Sequence, residues 1–360
     1  MKYLVVQDWR NTHGNHAGMV HMCRLLEMYY PNEYKVIINP QPDIYHNYNE
    51  RKICRLFYLI KHYLTYFYSK YQREHIITKK YLNLCASMFK TLKSGDEVFL
   101  MEYLFPEIPQ LCIAKYLRLN NLPVKIYALS HLTPTALKLF GNYKKMIKYW
   151  LSYVDKSLTL GNSLSEFFIE CGIKETKIST GFHYVDIDFY KPTVINEHEI
   201  ITIIVMGSLQ RDYVQIAEVV NRTCSYVRWI ICRGNRNVDF LFKRSQNVII
   251  EGYLQESSLR ERMSEADISL NVLQDTVGSN VITTSMAMGL AIIATDVGSI
   301  RDYCSAENSI LCKAQVESYI FAIDYLHNNR QVLSEMKKSS LVRSRKFSIE
   351  NVHKWFMSLS

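Results

Sequence analysis

Short, mostly apolar segments alternate with helical segments along both halves of this chain, and no other feature constrains its fold as strongly. The first apolar segment, residues 3–6, precedes a polar loop and then apolar residues at helical spacing from Met19 to Tyr30. A second series begins at residues 200–206, an all-apolar run typical of a strand buried in a parallel sheet. The alternation therefore predicts two doubly wound α/β sheets that face each other across a cleft.

Each half contains several predicted strands. They are predicted at residues 3–6, 36–38, 98–101, 124–129 and 157–160 in the first half, and at 200–206, 227–231, 248–250, 268–270 and 291–294 in the second. Helices are predicted between the strands, for example near residues 107–119. Another is predicted to begin at Ser163, because a serine followed three positions later by a glutamate is typical of a helix N-cap.

Residues 190–199 are predicted to link two domains, because they carry Pro192 and several polar side chains. The domains are accordingly placed at residues 1–192 and 200–344. A chain of 360 residues fits this division, since one domain typically has about 100–200 residues.

Cysteine usage and charge indicate a location and a class of partner. Nine scattered cysteines without a C-x-x-C pair predict reduced thiols in a cytoplasmic protein. The start of the chain predicts a buried strand and no signal peptide. The sequence contains no uninterrupted run of about 18 apolar residues, so no transmembrane helix is predicted. The net charge of +9 favours anionic partners such as nucleotide phosphates, an anionic membrane surface or nucleic acid.

Residues 51–93 combine many lysines, arginines and tyrosines with apolar residues at helical spacing. One interpretation is a core helix with a solvated basic face. The other is a basic-aromatic surface that makes peripheral contact with anionic lipid at the inner face of the membrane. Nucleic acid is not predicted as a partner, because the basic residues concentrate in one region and no recognition motif accompanies them.

Two loops in the second half have features of phosphate-binding turns. Gly278 and Ser279 are small, and Ser279 or Asn280 can cap the helix that follows, whose free N–H groups would suit a diphosphate. The loop at residues 206–211 follows a strand, and its Arg211 could bind phosphate oxygens bidentately. The first pattern is also compatible with ordinary helix capping, and the second with a surface arginine after a tight turn.

As a set, the motifs from about residue 150 to the end resemble those of the family 4 glycosyltransferases, which have the two-domain GT-B fold. They include the family's hinge motif, in which a Val-Asp pair precedes an aromatic-Lys-Pro ending, at residues 181–192, which are called the hinge below. They also include its Met-Ala-x-Gly…Val-Ile-Ala-Thr segment, at residues 286–295. The matching segments are 154–163, 181–192, 252–267, 286–295 and 347–352. The resemblance implies that the last helix, within residues 345–360, crosses back onto the first domain.

The resemblance implies transfer of a sugar from a nucleoside-diphosphate sugar to a glycan or lipid-linked glycan, with retention of configuration. The chain departs from the family at two positions: the paired glutamates, eight positions apart, are replaced by Thr276 and Thr284, with Asp275 beside the first. Two alternatives therefore stay open. One is a nucleotide-sugar 2-epimerase of the same fold, and the other is a non-catalytic subunit that binds nucleotide sugar or glycan.

The loops and the resemblance together assign the site residues. His131, at the end of the strand 124–129, and Arg211 are the predicted catalytic residues. The predicted donor-binding residues are Gly14, Gly207, Ser208, Arg211, Tyr253, Leu254, Gly278, Ser279, Asn280, Val281 and Thr284. The predicted acceptor-side residues are Asp8, His13, Asn15, His16 and Glu102.

No metal and no other cofactor is predicted. Residues 186–188 spell Asp-Ile-Asp, and an Asp-x-Asp pair binds manganese in the other main glycosyltransferase fold. Because this pair lies inside the hinge segment, it is predicted to cap a turn.

Overall fold

The computed structural model describes residues 1–8, 14–39, 89–104, 110–192, 199–243 and 245–359. Within them the chain forms two six-stranded sheets in which every neighbouring pair of strands is parallel. The predicted doubly wound architecture is thereby confirmed. His13, most of the basic-aromatic segment (residues 51–88) and most of the predicted linker (residues 193–198) lie outside the described residues.

The first sheet has the strand order β2-β1-β3-β4-β5-β6. Its strands are β1 Lys2–Gln7, β2 Tyr34–Asn39, β3 Glu97–Leu100, β4 Lys125–Ser130, β5 Lys156–Thr159 and β6 Ile178–Thr180. Among the described residues, the helices in this part of the chain are Met19–Tyr29, Gln110–Leu119, Pro134–Lys138, Tyr143–Leu151 and Asn162–Glu170. The strand β6 was not predicted, because three residues are too few to show a pattern.

The second sheet has the strand order β12-β11-β10-β7-β8-β9. Its strands are β7 Thr202–Met206, β8 Arg228–Cys232, β9 Val248–Glu251, β10 Ile268–Asn271, β11 Ala291–Thr295 and β12 Ser309–Cys312. The helices that follow these strands are Tyr213–Thr223, Glu256–Ser264, Asn280–Ala287, Ile300–Tyr303, Val316–Asn328 and Arg330–Ser344. Central strands such as β7 are buried on both faces, which explains their all-apolar sequences.

The last helix, Ile349–Met357, packs against the first sheet, as the resemblance implied. The ring of Phe356 is fully buried, and its centroid lies 4.7 Å from that of Phe99 on β3. The hydroxyl of Tyr127 donates a hydrogen bond to the carbonyl oxygen of Leu359, 2.9 Å away. Burial of one such phenylalanine stabilises the fold by roughly 1.5–3 kcal/mol, so this helix belongs energetically to the first domain.

The prediction that Ser163 caps a helix is wrong. The helix begins one residue earlier, at Asn162, and the preceding Gly161 makes no side-chain cap. The hydroxyl of Ser163 instead bonds to the hydroxyl of Ser299 in the second domain, 2.6 Å away. The two domains meet closely here, since a β-carbon on Gly161 would lie 2.3 Å from the Ser299 hydroxyl oxygen. A contact between domains has taken the place of the local cap.

The seven cysteines in the described part of the chain are all free thiols, as expected for reduced cysteines. Burial raises the pKa of Cys232, Cys304 and Cys312 to about 12, so these thiols stay protonated at neutral pH. Among the described residues, no helix has both the length and the apolar character needed to cross a membrane.

Candidate functional site

The candidate site lies where the two domains meet, at the carboxyl ends of their strands. Hydrogen bonds join the sides of this cleft. The side-chain amide of Asn280 donates to the carbonyl oxygen of Ala17 at 2.9 Å, and the backbone N–H of Thr135 donates to Asp275 at 3.1 Å. Loops from both sheets therefore converge here, as expected for ligand sites in parallel α/β sheets.

Arg211 is buried in the loop after β7. Its guanidinium donates to the carbonyl oxygens of Met206, at 3.2 Å, and Leu209, at 3.3 Å, and to the side-chain oxygen of Asn271 at 3.4 Å. Only 8% of the residue is exposed, and burial lowers the pKa of Arg211 to about 10. No carboxylate among the described residues forms an ion pair with it. Because a buried cation without a counter-charge is costly, this position is suited to an anion.

Gly207 brings Arg211 close to the start of the helix Asn280–Ala287. A β-carbon on Gly207 would lie 3.4 Å from a methyl group of Val281 and 3.7 Å from the Arg211 guanidinium. The φ angle of Gly207 is +84°, which favours glycine. The structure thus brings together three predicted donor-binding residues, and the neighbouring Ser208 is half-buried in the same turn.

The helix Asn280–Ala287 begins without a side-chain cap, although Ser279 or Asn280 was predicted to provide one. Ser279 precedes the helix in an extended conformation, and its side chain makes no capping bond. The Asn280 amide turns away to the carbonyl oxygen of Ala17, because the loop after β1 approaches within reach. The first N–H groups of the helix are therefore left without a side-chain acceptor, an arrangement that suits a phosphate.

The two threonines that replace the family's glutamates are both held by backbone groups. The hydroxyl of Thr276 accepts the N–H of Gly278 at 3.1 Å, and that of Thr284 donates to the Asn280 carbonyl oxygen at 2.7 Å. The turn at Gly278 requires glycine, since a β-carbon there would lie 2.2 Å from the hydroxyl oxygen of Tyr303. Small side chains here let the turn pack tightly, but they supply no carboxylate.

Asp275 is the carboxylate next to the first of these threonines, and it joins the domains. One of its oxygens accepts the N–H of Thr135 at the start of the helix Pro134–Lys138. The other accepts the N–H of Thr276 at 2.8 Å. Two backbone donors therefore hold this carboxylate, and the residue is 9% exposed.

Two neutral histidines lie near each other at the carboxyl edge of the first sheet. His131 follows β4, and burial lowers its pKa to about 4. His183 follows β6, and burial together with the proximity of His131 lowers its pKa to about 3. The backbone N–H of His183 donates to the hydroxyl of Tyr303 at 2.8 Å. Neutral imidazoles can donate or accept hydrogen bonds, as recognition of sugar hydroxyls requires.

Sequence reasoning predicted a site role for His131 and none for His183. Both residues follow a parallel strand, and that position was the signal that selected His131. The same signal was hidden for His183 because β6 is only three residues long and was not predicted.

The loop at residues 14–18, after β1, is fixed to the hinge and to the second domain. The backbone N–H groups of His16 and Ala17 both donate to the carboxylate of Glu256. The Nδ1 atom of His16 lies 2.6 Å from Oδ2 of Asp186. The His16 side chain, predicted on the acceptor side, is therefore engaged with the hinge segment.

The other predicted residues of the first domain are placed as follows. Gly14 has a φ angle of +80°, and no atom of the described residues lies within 4 Å of a β-carbon added to it. The carbonyl oxygen of Asn15 accepts the N–H of Gly18 at 2.9 Å. The N–H of Asp8 donates to the carbonyl oxygen of Asn39 at 2.9 Å. These contacts shape the start and the end of the loop.

Glu102, the remaining predicted acceptor-side residue, is 4% exposed. Its carboxylate accepts the backbone N–H of Gln7 at 3.1 Å, and its own N–H donates to the side chain of Gln110 at 2.7 Å. The carboxylate thus joins the ends of β1 and β3 in the interior of the first domain.

Tyr253 and Leu254 follow β9 at the carboxyl edge of the second sheet. Tyr253 is 48% exposed, whereas Leu254 packs against the core beneath the loop. Of this predicted pair, Tyr253 is the residue whose ring is accessible to a ligand.

The Asp-Ile-Asp segment at residues 186–188 caps a turn, as predicted. One carboxylate oxygen of Asp186 accepts the N–H groups of Asp188 and Phe189, each at 3.1 Å. The other oxygen faces His16 and His21. The hydrogen bonds from the two histidines are the main reason that the pKa of the Asp186 carboxyl is lowered, against the effect of burial.

Comparison with known proteins gives one family match and many structural matches. Residues 202–329 match the family model described as Glycosyl transferases group 1. No curated protein matches the chain significantly in sequence.

Three similar solved structures are a sucrose-phosphate synthase, a galactosyltransferase and a protein in complex with UDP, by their titles. Sucrose-phosphate synthase from Thermosynechococcus elongatus has a TM-score of 0.71 and 10% identity, with 100% of each chain covered. The lipopolysaccharide outer core galactosyltransferase WaaB has a TM-score of 0.70 and 14% identity, again with 100% of each chain covered. Anabaena HepE in complex with UDP has a TM-score of 0.67 and 10% identity, with 100% of this chain and 99% of that chain covered. At these identities the structural likeness establishes the fold.

Proposed function

We infer the reaction from two facts: the chain is a glycosyltransferase, with a Glycosyl transferases group 1 domain at residues 202–329, and it has the GT-B fold. We propose that it moves a sugar from a nucleoside-diphosphate sugar to a hydroxyl group of a glycan or lipid-linked glycan. The UDP bound to HepE and the lipopolysaccharide substrate in the WaaB title support this choice of donor and acceptor class.

The observation that carries the proposal is the position of Arg211. Its buried guanidinium lies under Gly207, beside the uncapped start of the helix Asn280–Ala287. A leaving diphosphate gains negative charge as the bond to the sugar breaks. A fixed cation and a helix N-terminus aimed at that charge stabilise the transition state more than the ground state.

In this proposal the sugar lies on the side of His131 and His183. Their neutral rings supply hydrogen bonds to sugar hydroxyls. The resemblance to the family 4 glycosyltransferases supports retention of configuration at the anomeric carbon, without a protein base in the transfer. Thr276 and Thr284 supply no carboxylate at the positions of the family's paired glutamates. The proposed chemistry uses no metal ion, because Arg211 and the helix N-terminus supply the positive charge.

A screen for donor binding tests the proposal. Thermal unfolding of the full chain is measured with UDP-, GDP-, CMP- and dTDP-sugars, and donors that bind are then incubated with glycan acceptors for product analysis. A ligand at about 100 times its dissociation constant stabilises the fold by roughly 2.7 kcal/mol, which a thermal shift detects. We expect one nucleotide class to bind. Arg211→Ala should reduce the stabilisation by about half or more, since tenfold weaker binding leaves roughly 1.4 kcal/mol at the same ligand concentration.

The matched control is Arg222→Ala, which removes an exposed arginine that pairs with Glu317 at 3.1 Å on the far surface of the second domain. The control should keep the shift. Donor binding without any transfer would support a non-catalytic subunit, whereas conversion of the donor without an acceptor would identify an epimerase.

We also propose peripheral contact with an anionic membrane on the cytoplasmic side, through residues 51–93. Support comes from the sequence, in which lysines and arginines alternate with tyrosines. Flotation with liposomes, with and without anionic lipid, tests this. Failure to float with anionic liposomes at low salt would contradict it.

A further inference from the structure

Two histidines and one aspartate converge at the junction of the loop after β1, the helix Met19–Tyr29 and the hinge. The Nδ1 atom of His16, the Nε2 atom of His21 and the Oδ2 atom of Asp186 all lie within 4.8 Å of one another. None of these atoms takes part in the proposed sugar transfer. We propose that the three residues bind one divalent transition-metal ion, with zinc as the best match.

The distances from Asp186 to the two histidines are somewhat shorter than the separation of two ligands in a zinc site. Oδ2 of Asp186 lies 2.6 Å from Nδ1 of His16 and 3.0 Å from Nε2 of His21. Zinc binds nitrogen and carboxylate oxygen at about 2.0–2.2 Å, so the ligands of a tetrahedral ion lie about 3.3 Å apart. Small movements of these side chains would admit an ion.

Neighbouring residues hold two of the three ligands in orientation. One oxygen of Asp186 is used by the turn at Asp188 and Phe189, so the other is aimed at the histidines. The ring of Phe189 stacks on His16 with 3.8 Å between centroids, and the guanidinium of Arg260 lies 4.5 Å from the Phe189 ring centroid. Outer contacts of this kind fix the direction of metal ligands in known sites.

The chemistry of the donor set selects the ion. Two imidazoles and one carboxylate favour zinc and other first-row transition ions over magnesium or calcium, which prefer oxygen ligands. Three protein ligands leave at least one position for water. The side chains of His16 and His21 are 33% and 22% exposed, so an ion can enter from solvent.

An ion at this position would connect three parts of the molecule. His16 belongs to the loop whose backbone also contacts Glu256 and, through Ala17, the Asn280 side chain. Asp186 belongs to the hinge, and His21 to the helix Met19–Tyr29. Metal binding would therefore hold the loop beside the start of the helix Asn280–Ala287 and stabilise the contact between the two domains.

The test measures metal binding directly. The untagged full chain is stripped with a chelator and titrated with Zn²⁺ by calorimetry and with Co²⁺ by visible absorption, which reports the coordination geometry. We expect one ion per chain and a higher Tm with Zn²⁺. His21→Ala and Asp186→Asn should each weaken binding by about tenfold or more.

The matched control is His353→Ala. His353 also stacks on an aromatic ring, with 3.7 Å between its centroid and that of Tyr30, and its Nδ1 atom lies 3.0 Å from the Tyr34 hydroxyl. This variant should bind Zn²⁺ like the unaltered chain. If His21→Ala fails to fold, His21→Gln takes its place, because it preserves a polar side chain of similar length.

Absence of saturable Zn²⁺ binding by the unaltered chain would overturn the proposal. The proposal would also be overturned if the Asp186→Asn and His21→Gln variants bound Zn²⁺ with the same affinity as the unaltered chain. The measurement does not depend on the sugar donor, so its outcome is independent of the proposed reaction.

Discussion

The side-chain amide of Asn280 donates a hydrogen bond to the carbonyl oxygen of Ala17, with 2.9 Å between the two atoms, although the residues are 263 positions apart. This bond connects the first residue of the helix Asn280–Ala287 to the loop after β1. It thereby joins the second domain to the first domain at the candidate site. The remaining oxygen of the Asn280 side chain is buried without a partner among the described residues.

Asn280→Ala should lower the free energy of unfolding by about 1 kcal/mol, because it removes one hydrogen bond across the cleft. Urea denaturation measures this change. The same substitution should weaken donor binding, since the loop at residues 14–18 loses a contact that places it beside the helix. Unchanged donor affinity would show that this contact does not position the loop for the donor.

Gly278→Ala should destabilise the fold by several kcal/mol. A β-carbon at residue 278 would lie 2.2 Å from the hydroxyl oxygen of Tyr303, and the φ angle of +115° disfavours any other residue. Gly234→Ala is the matched control, because Gly234 also has a positive φ but no atom of the described residues lies within 4 Å of the added carbon. It should cost only about 1–2 kcal/mol. If chemical denaturation showed the same loss of unfolding free energy for Gly278→Ala and Gly234→Ala, the predicted contact with Tyr303 would be contradicted.

Stability should fall as the pH drops below 6.5. The pKa of His131 is lowered to about 4 and that of His183 to about 3, from an ordinary value of 6.5, so the folded chain keeps both rings neutral. Below pH 6.5 the unfolded chain takes up protons that the folded chain does not. The stability is therefore fully present above pH 6.5 and is lost progressively down to about pH 4, by up to about 1.4 kcal/mol per pH unit for each histidine.

Urea denaturation between pH 7.5 and 5 measures this slope, in a range where most carboxylates stay ionised. His183→Asn should reduce the slope of the unfolding free energy against pH by the contribution of one histidine, since of the two histidines His131 then remains. A slope that is the same with and without His183 would contradict the assignment.

The two sheets could be predicted from the sequence because their central strands are buried on both faces. Residues such as Ile203 and Val205 are fully buried, and a short run of such residues is typical of a central strand in a parallel sheet. The predicted bounds differ from the observed ones by one or two residues. The short strands β6 and β12 escaped prediction, because three or four residues with polar members show no period.

The candidate site could be predicted only in part. Gly207, Arg211 and Val281 were predicted from loops that follow strands, and the structure brings them together. The cluster of His16, His21 and Asp186 was not predicted, because Asp186 is 170 positions from His16 in sequence. The hydrogen bond between Ser163 and Ser299 was not predicted for the same reason, because a local rule assigned Ser163 to a helix cap.

The central claim is that Arg211 and the start of the helix Asn280–Ala287 bind the diphosphate of the donor. Titration calorimetry of UDP, GDP and dTDP, with the unaltered chain and with Arg211→Ala, tests it most directly. We predict that the unaltered chain binds one of these nucleotides, and that Arg211→Ala weakens this binding by about tenfold or more, because a charge-assisted hydrogen bond contributes about 1.5–3 kcal/mol. Equal affinity of the folded Arg211→Ala variant would contradict the claim.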